Sequence, residues 1–593
     1  MGQLILGIHW GAHDSGAAVF EDYSLKAAVQ LERLTRRKGD GGEPNASIEE
    51  VLAIVGATRR DVDAIAVSRS FFPLRCYRDL GGLRRLREQY RAQVRGRPRL
   101  LMIHEMLRHR SIRVEDFFDV AAYRRDVGFR DTAAVHFYDH HAAHILPALF
   151  YSPQWDDALL ISADGGGDTV HYSHRHFAAG KLAAIYGGEN YALVPPVQDS
   201  IGKLYGYATK ALGFTRVRHE GKMTGLSALG EPVYRERIMA RFKVDEAGRV
   251  HSDFASDREM LAFMRALAGG TSRENLAASI QQALEDIMLA SAQRLIARHP
   301  AHHLGVSGGV FANVKLNRVL AERLPIEEIF VYPAMGDEGL PVGGALSYLL
   351  QRDGLPRWLD QRRDLGDLYL GRDFGDEADR VLSALRGVES AREDPVQGAA
   401  RRLAEGQIGA IYTGRMEYGP RALGARSILA NPARRETHDL LNERLARSEF
   451  MPFAPVIAEE RAAEVFGISK VNARACRYMT ITCDVRPQWR ERIAAVVHVD
   501  GSARPQTITR AVNPLYYDVL ACFERLTGLP VLVNTSFNVH EEPIVNSPAE
   551  CAAALVQGRI DFVMTARGLY EGAHVRATRS PRRNARADAP LPA

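Results

Sequence analysis

The stretch FYDHHAAHILPALF, residues 137–150, places His140, His141 and His144 within five positions of a chain that has 20 histidines in 593 residues. On a helix, His140 and His144 stand four apart on one face, the arrangement of two metal ligands, and Asp139 is suited to cap the helix start. His141 then points elsewhere, toward hydrogen bonding or substrate contact. Pro147 denies the carbonyl of Ala143 its helical partner and should kink or end the helix. Two imidazoles need further ligands, and two aspartates on glycine-flexible turns can supply them: Asp164 in SADGGGD and Asp337 in MGDEG. Two histidines and two aspartates with open positions suit a divalent transition metal such as iron or zinc, which could bridge to nucleotide phosphates. The plainer alternative is a set of histidines satisfied at a helix start.

Other residues invite chemistry of different kinds. His13 and Asp14 share the turn GAHDSG, where a histidine could take a proton from an attacking hydroxyl; a turn merely stabilised by Asp14 and Ser15 is the competing reading. In GVSGG, residues 305–309, Gly308 and Gly309 let backbone approach a nucleotide, with Asn313 on the following helix. The same string matches GxSxG and makes Ser307 a rival hydrolase nucleophile, although no HGGG-type oxyanion segment precedes it. Farther on, GRMEYGPRALGARSI sets Arg415, Arg421 and Arg426 among glycines, HVDGSAR adds Arg504, and VNTSFN adds Thr535, Ser536 and Asn538. Guanidinium forks, small hydroxyls and bare glycine backbone are what a phosphate- or carbamate-bearing substrate requires, against a surface ion-pair network as the bland reading. No GxxxxGK[ST] or GxGxxG is present, so a nucleotide site here is not a P-loop. HEMLRH fails as a zinc motif, because histidines five apart lie roughly 140° apart around a helix.

These residues need elements to hold them. Residues 4–20 and 157–173 both read as strand, polar turn and returning strand; 302–320 and 329–350 read as strand, turn and helix. The repeated plan predicts a duplicated α/β domain over 1–350 with a nucleotide in the cleft between its halves. Residues 351–394 are polar and broken and read as a connector. A second α/β region, 395–572, has strand candidates at 408–414, 478–485, 494–501 and 529–536. An arginine-rich tail, 573–593, reads as disordered.

Composition fits a globular enzyme: 46% apolar, 25% charged, net charge +5. Length allows about four average domains or two large α/β units. Five cysteines with no CxxC spacing point to a reducing cytoplasm and away from a disulfide frame. With neither a signal-peptide pattern nor a membrane-length apolar run, the expectation is a cytoplasmic protein with no membrane partner. The basic stretch at 83–101 reads as a solvated helix face. A nucleic-acid partner is disfavoured, since no base-reading motif accompanies the charge.

Together the strings HDSGAA, DHHAAH, ADGGGD, SGGVFANVKLN, GDEG, GRMEYGPRALGARSI, RSEFMPFAPV, HVDGSAR and PVLVNTSFN resemble the O-carbamoyltransferase family of the NodU/CmcH type, in family order from about residue 5 to 570. The resemblance implies a TsaD-like, duplicated actin/sugar-kinase-like N-terminal domain and a YrdC-like α/β domain after it. It implies that carbamoyl phosphate and ATP give carbamoyl-AMP, from which a hydroxyl of a small-molecule acceptor, of natural-product type, takes the carbamoyl group. Carried over, His140, His144, Asp164 and Asp337 would hold a divalent metal, Fe2+ first and Mg2+ second. His13, with Asp14, would be the base or orienter. Gly165, Gly166, Lys203, Lys222, Gly308, Gly309 and Asn313 would line the nucleotide. Arg415, Arg421, Arg447, Arg504, Thr535, Ser536 and Asn538 would hold carbamoyl phosphate or the adenylate. A homodimer is compatible with this reading. Rival functions are a threonylcarbamoyl-type tRNA-modifying enzyme, the Ser307 hydrolase and an ATP-dependent chaperone.

Overall fold

The computed structural model describes residues 2–69, 72–95, 101–188, 191, 193, 194, 197–446 and 453–575. Arg447 and most of the C-terminal tail lie outside the described residues. The chain opens with a five-stranded sheet of β1 (Leu4–His9), β2 (Gly16–Glu21), β3 (Ser24–Gln30), β4 (Ala64–Ser68) and β5 (Ala134–Tyr138), ordered β3-β2-β1-β4-β5. The first three strands form an antiparallel meander, and β4 and β5 add in parallel to β1. A second sheet repeats the plan with β6 (Asp157–Gly167), β7 (Val170–Ala178) and β8 (Lys181–Tyr186), then, after a small hairpin of β9 (Phe242–Val244) and β10 (Val250–Ser252), β11 (His303–Ser307) and β12 (Glu328–Val331). Its order, β8-β7-β6-β11-β12, and its mix of antiparallel and parallel neighbours match the first sheet. This is the duplicated α/β architecture that the repeated turns predict.

A mixed eight-stranded sheet builds the C-terminal α/β domain. Its strands are β14 (Val388–Ser390), β15 (Gly409–Tyr412), β17 (Arg426–Ala430), β18 (Ala454–Ala458), β21 (Gln506–Ile508), β22 (Val531–Ser536), β23 (Phe562–Met564) and β24 (Leu569–Gly572). They are ordered β14-β24-β23-β15-β17-β22-β18-β21. Two short pairs complete the set: β13 (Tyr369–Asp373) with β16 (Arg415–Glu417), and β19 (Cys483–Asp484) with β20 (Ser502–Ala503). The stretch 351–394 is folded rather than a bare connector. It supplies β13, the helix Glu377–Ala384 and the edge strand β14, all too short for periodicity to reveal.

Two helices fix the geometry of the site. His140–Phe150 begins where Asp139 accepts the N–H of Ala142 at 2.7 Å, and it runs through Pro147 without ending there. A proline inside a helix costs about 3 kcal/mol. Burial of Ile145, Leu146, Leu149 and Phe150, each no more than 2% exposed, offsets that at about 1.5–3 kcal/mol apiece. The helix Leu340–Asp353 crosses it at Gly343, where an added Cβ would stand 1.7 Å from the carbonyl oxygen of Ala143, the acceptor that Pro147 leaves without a helical donor.

Candidate active site

The chemistry-bearing residues gather toward the carboxyl ends of β1, β5, β6 and β12, the side on which an open α/β sheet binds its ligands. His9 ends β1, the turn with His13 and Asp14 follows it, His140 lies just past β5, Asp164 is on β6, and Asp337 follows β12. His140 and His144 project from successive helical turns, with their Nε2 atoms 3.1 Å apart. His144 Nε2 is 3.1 Å from Asp164 Oδ2 and 3.5 Å from Asp337 Oδ1; His140 Nε2 is 3.7 Å from an oxygen of each aspartate. One ligand atom from each of the four lies within 4.8 Å of the others. Gly167 permits the approach: a Cβ there would stand 2.2 Å from the His140 ring.

The electrostatics of this cluster oppose burial and win. Burial disfavours the charged imidazole of His144, yet hydrogen bonds to Asp164 and Asp337 raise its pKa to about 9. For His140 the same contest, with Asp337 as the largest favourable partner, again ends above the ordinary value. Burial would raise both aspartates, but the facing histidines hold Asp164 and Asp337 below the usual carboxylate range. Two imidazole nitrogens aimed at each other and at two ionised carboxylates form a donor set that fits a divalent transition metal.

His13 Nδ1 lies 2.9 Å from Asp14 Oδ2 and 3.9 Å from Asp337 Oδ2. Against burial, the bond to Asp14 and the charge of Asp337 lift His13 to about 10. His141 is fully buried, with Nδ1 2.7 Å from Ser162 Oγ and Nε2 3.1 Å from the carbonyl of Val170. It fastens the histidine helix to β6 and β7 and is unavailable for substrate contact. Ser307 is likewise fully buried and donates to the carbonyl of Met335 at 3.2 Å, so the GxSxG nucleophile reading fails.

A cavity of about 570 Å³ opens from this cluster toward the C-terminal domain. His13, Asp14, Asp164, Gly165, Gly166, Gly309, Asn313 and Asp337 line it from the duplicated half, and Arg421, Ser536 and Asn538 from the other.

A family model described as Carbamoyltransferase N-terminus matches residues 4–346, and one described as Carbamoyltransferase C-terminus matches residues 400–571. The chain belongs to the carbamoyltransferase family. The nodulation protein NolNO of Sinorhizobium fredii is 31% identical over 588 residues, 96% of this chain and 80% of that protein. NolO of Bradyrhizobium diazoefficiens is 33% identical over 435 residues, covering 71% and 77% of the two chains. Among solved structures, a ROK hexokinase from Thermus thermophilus aligns over 59% of this chain and 100% of its own, with 15% identity and a TM-score of 0.32.

Not every sequence candidate of this carbamoyltransferase reaches the cavity. Arg415 spends its guanidinium on the carbonyls of Gly371, Lys26 and Leu370, and Arg426 stacks over Tyr412 while donating to Thr413 and Gly414; both brace the fold. Lys203 pairs with Asp257 at 3.0 Å. Lys222 is buried with Nζ 3.4 Å from His540 Nε2, across the seam between the halves. Gly308 adopts φ +101° so that backbone can pass Ala163, whose oxygen would stand 2.2 Å from a Cβ; its bareness serves packing on β6. Arg504 and Thr535 are not among the residues lining the cavity; Arg504 directly follows β20, and Thr535 lies on β22.

The structure adds residues that the sequence reading passed over. His9, buried at the end of β1, has Nε2 3.5 Å from Asp337 Oδ2. Its signal was an apolar strand closing on a histidine just before the GAHDSG turn. Glu338 lines the cavity beside Arg421, and burial, then the charge of Asp14, raises its carboxyl to about 8. Burial also draws Arg421 below its usual range, with Glu338 opposing.

Proposed function

We propose that this carbamoyltransferase consumes carbamoyl phosphate and ATP, forms carbamoyl-AMP and passes its carbamoyl group to a hydroxyl of a small-molecule acceptor of natural-product type. Carbamoyl phosphate and water give carbamate and phosphate. A carbamate oxygen then bonds to the α-phosphorus of ATP as pyrophosphate departs. In the second half the acceptor oxygen bonds to the carbamoyl carbon, the bond to the AMP oxygen breaks, and the hydroxyl proton leaves.

The observation that carries this reading is the shared cavity. The His/Asp cluster and the glycine backbone of the duplicated half face Arg421, Ser536 and Asn538 across one cavity. A mixed anhydride hydrolyses readily, so a route between its formation and its use that excludes water is what the chemistry demands. In this scheme Arg421 neutralises phosphate charge, Ser536 and Asn538 orient the carbamoyl end, and Gly165, Gly166, Gly309 and Asn313 accommodate the nucleotide. His140, His144, Asp164 and Asp337 would hold the divalent ion, Fe2+ in our reading. When bound, it would supply Lewis-acid stabilisation of the phosphate that leaves. His13, oriented by Asp14, would receive the acceptor's proton at its imidazole. It must be neutral to do so, and compensation of the neighbouring carboxylates would bring its high pKa down.

The test is release of AMP and pyrophosphate from ATP by metal-loaded protein, with and without carbamoyl phosphate. Release that depends on carbamoyl phosphate and disappears in Arg421→Ala is expected. Release indifferent to carbamoyl phosphate would overturn the adenylation scheme.

A further inference from the structure

The hairpin that joins β6 to β7 turns through two residues, Asp168 and Thr169, between the paired Gly167 and Val170. Both take positive φ, +46° and +77°. A turn of this hand is ordinarily made by Asn-Gly or Asp-Gly, and a β-branched threonine is strained there. Such strain persists only where contacts outside the turn impose it. Here both side chains make one. Thr169 donates its hydroxyl to the carbonyl of Tyr191 at 2.5 Å. Asp168 Oδ2 accepts the backbone N–H of His140 at 2.8 Å and lies 3.6 Å from Nη1 of Arg69, the residue after β4. Asp168 and Arg69 are 6% and 5% exposed, so water competes little for these contacts.

A helix leaves its first N–H groups without partners inside it. In the histidine helix the side chain of Asp139 serves the N–H of Ala142, and its carbonyl serves that of Ala143. The second carboxylate, 28 residues away in sequence, serves the N–H of His140. His144 stands a full turn farther in and is held by the helix itself, whereas His140 is its first residue. We propose that Asp168 is a positioning residue: through the N–H of His140 it fixes where that imidazole stands, and so sets how tightly the His/Asp cluster holds its ion. The proposal rests on the reading that the cluster binds a divalent metal. Arg69 faces the carboxylate from the other side and keeps it in place. Without the bond, the first turn of the helix can move and carry His140 away from His144, Asp164 and Asp337.

The experiment uses Co2+ as the probe ion on the full-length protein. Competition with a chromophoric chelator gives its affinity, and the visible absorption bands of bound Co2+ report the ligand set. Asp168→Gly removes the acceptor yet suits the backbone of the turn better than Asp does. It should weaken Co2+ binding about tenfold or more, as loss of a supporting group at a metal site does, and shift those bands. Asp168→Asn keeps an acceptor oxygen in place and should bind within about threefold of the wild type. A role confined to the hairpin predicts no such order, since glycine is the better turn residue. Wild-type affinity in Asp168→Gly overturns the proposal. So does an equal loss in both variants, which would assign the effect to charge. A wild-type protein that binds no Co2+ overturns the metal reading and this proposal with it. If circular dichroism shows that Asp168→Gly does not fold, hydrogen exchange on the wild type decides. The His140 amide should then exchange as slowly as that of Ala143, and exchange at the rate of a free amide overturns the proposal.

Discussion

At the scale of single residues, the His/Asp cluster behaves as a proton store as much as a ligand set. His144 holds a proton at neutral pH because Asp164 and Asp337 face it, His140 is pushed in the same direction by Asp337, and a metal must displace the proton on its ligand nitrogen to bind. Titration calorimetry in buffers of different ionisation enthalpy should therefore record about one proton or more released per ion near neutrality. No release would mean that the ion binds elsewhere. Without metal, the stability that charged His13 and His144 contribute is full below their unfolded value of 6.5 and is lost as pH rises through about 9 and about 10. Melting temperatures of the chelated protein should fall across that window, and those of the metal-loaded protein should fall less. Ser307→Ala should cost about 1 kcal/mol and keep activity within about twofold; a loss near a thousandfold would return the nucleophile to contention. Sequence made the four converging residues legible because helical spacing and glycine turns are local signals. His9 was hidden because one histidine ending an apolar strand looks like any strand end, and only the fold brings Asp337 to it.

At the scale of elements, the site depends on how closely the helix Leu340–Asp353 can approach the histidine helix. Gly343→Ala would drive a methyl group into the carbonyl of Ala143 and should cost about 3 kcal/mol or more. Thermal unfolding would show it, and metal content should fall as well, since His144 follows Ala143 directly. An unchanged melting temperature would show that the two helices separate without penalty. The duplicated strand-turn-strand plan was readable because its alternation and turn residues are strong. The stretches 478–485 and 494–501 were not: only Cys483–Asp484 pairs as a strand, and Ala494–Val496 is a single 3-10 turn. The first stretch packs on the duplicated half, where Tyr478 meets Phe330 edge to face and Thr482 N–H donates to the carbonyl of Val314, and the second packs within the C-terminal domain, where Ala495 N–H donates to the carbonyl of Pro432. Buried irregular backbone demands the same residue types as a strand, so composition cannot separate them.

At the scale of the whole molecule, the seam between the halves should decide how tightly the two partial reactions are coupled. Arg36 donates at 2.8 Å to the carbonyls of both Pro543 and Ile544 and lies 3.3 Å from Glu550, fastening a wall of the cavity. Hydrogen bonds from charged groups contribute about 1.5–3 kcal/mol each, so Arg36→Ala should loosen that wall. If the cavity carries carbamoyl-AMP, ATP consumed per carbamate ester formed should rise about twofold or more, with the excess appearing as free AMP. An unchanged ratio would mean that this wall does not retain the intermediate.

The order of the eight-stranded sheet has a consequence for how the chain is made. β23 and β24 emerge last, yet they sit inside the sheet, between β14 and β15. Until residue 572 leaves the ribosome, two strands wait with bare edges for partners about 150 to 180 residues downstream. Such edges invite pairing with neighbouring nascent chains. Slow translation or missing chaperones should thus penalise the C-terminal domain first, and the duplicated half, whose sheets close earlier, should survive as the soluble fragment.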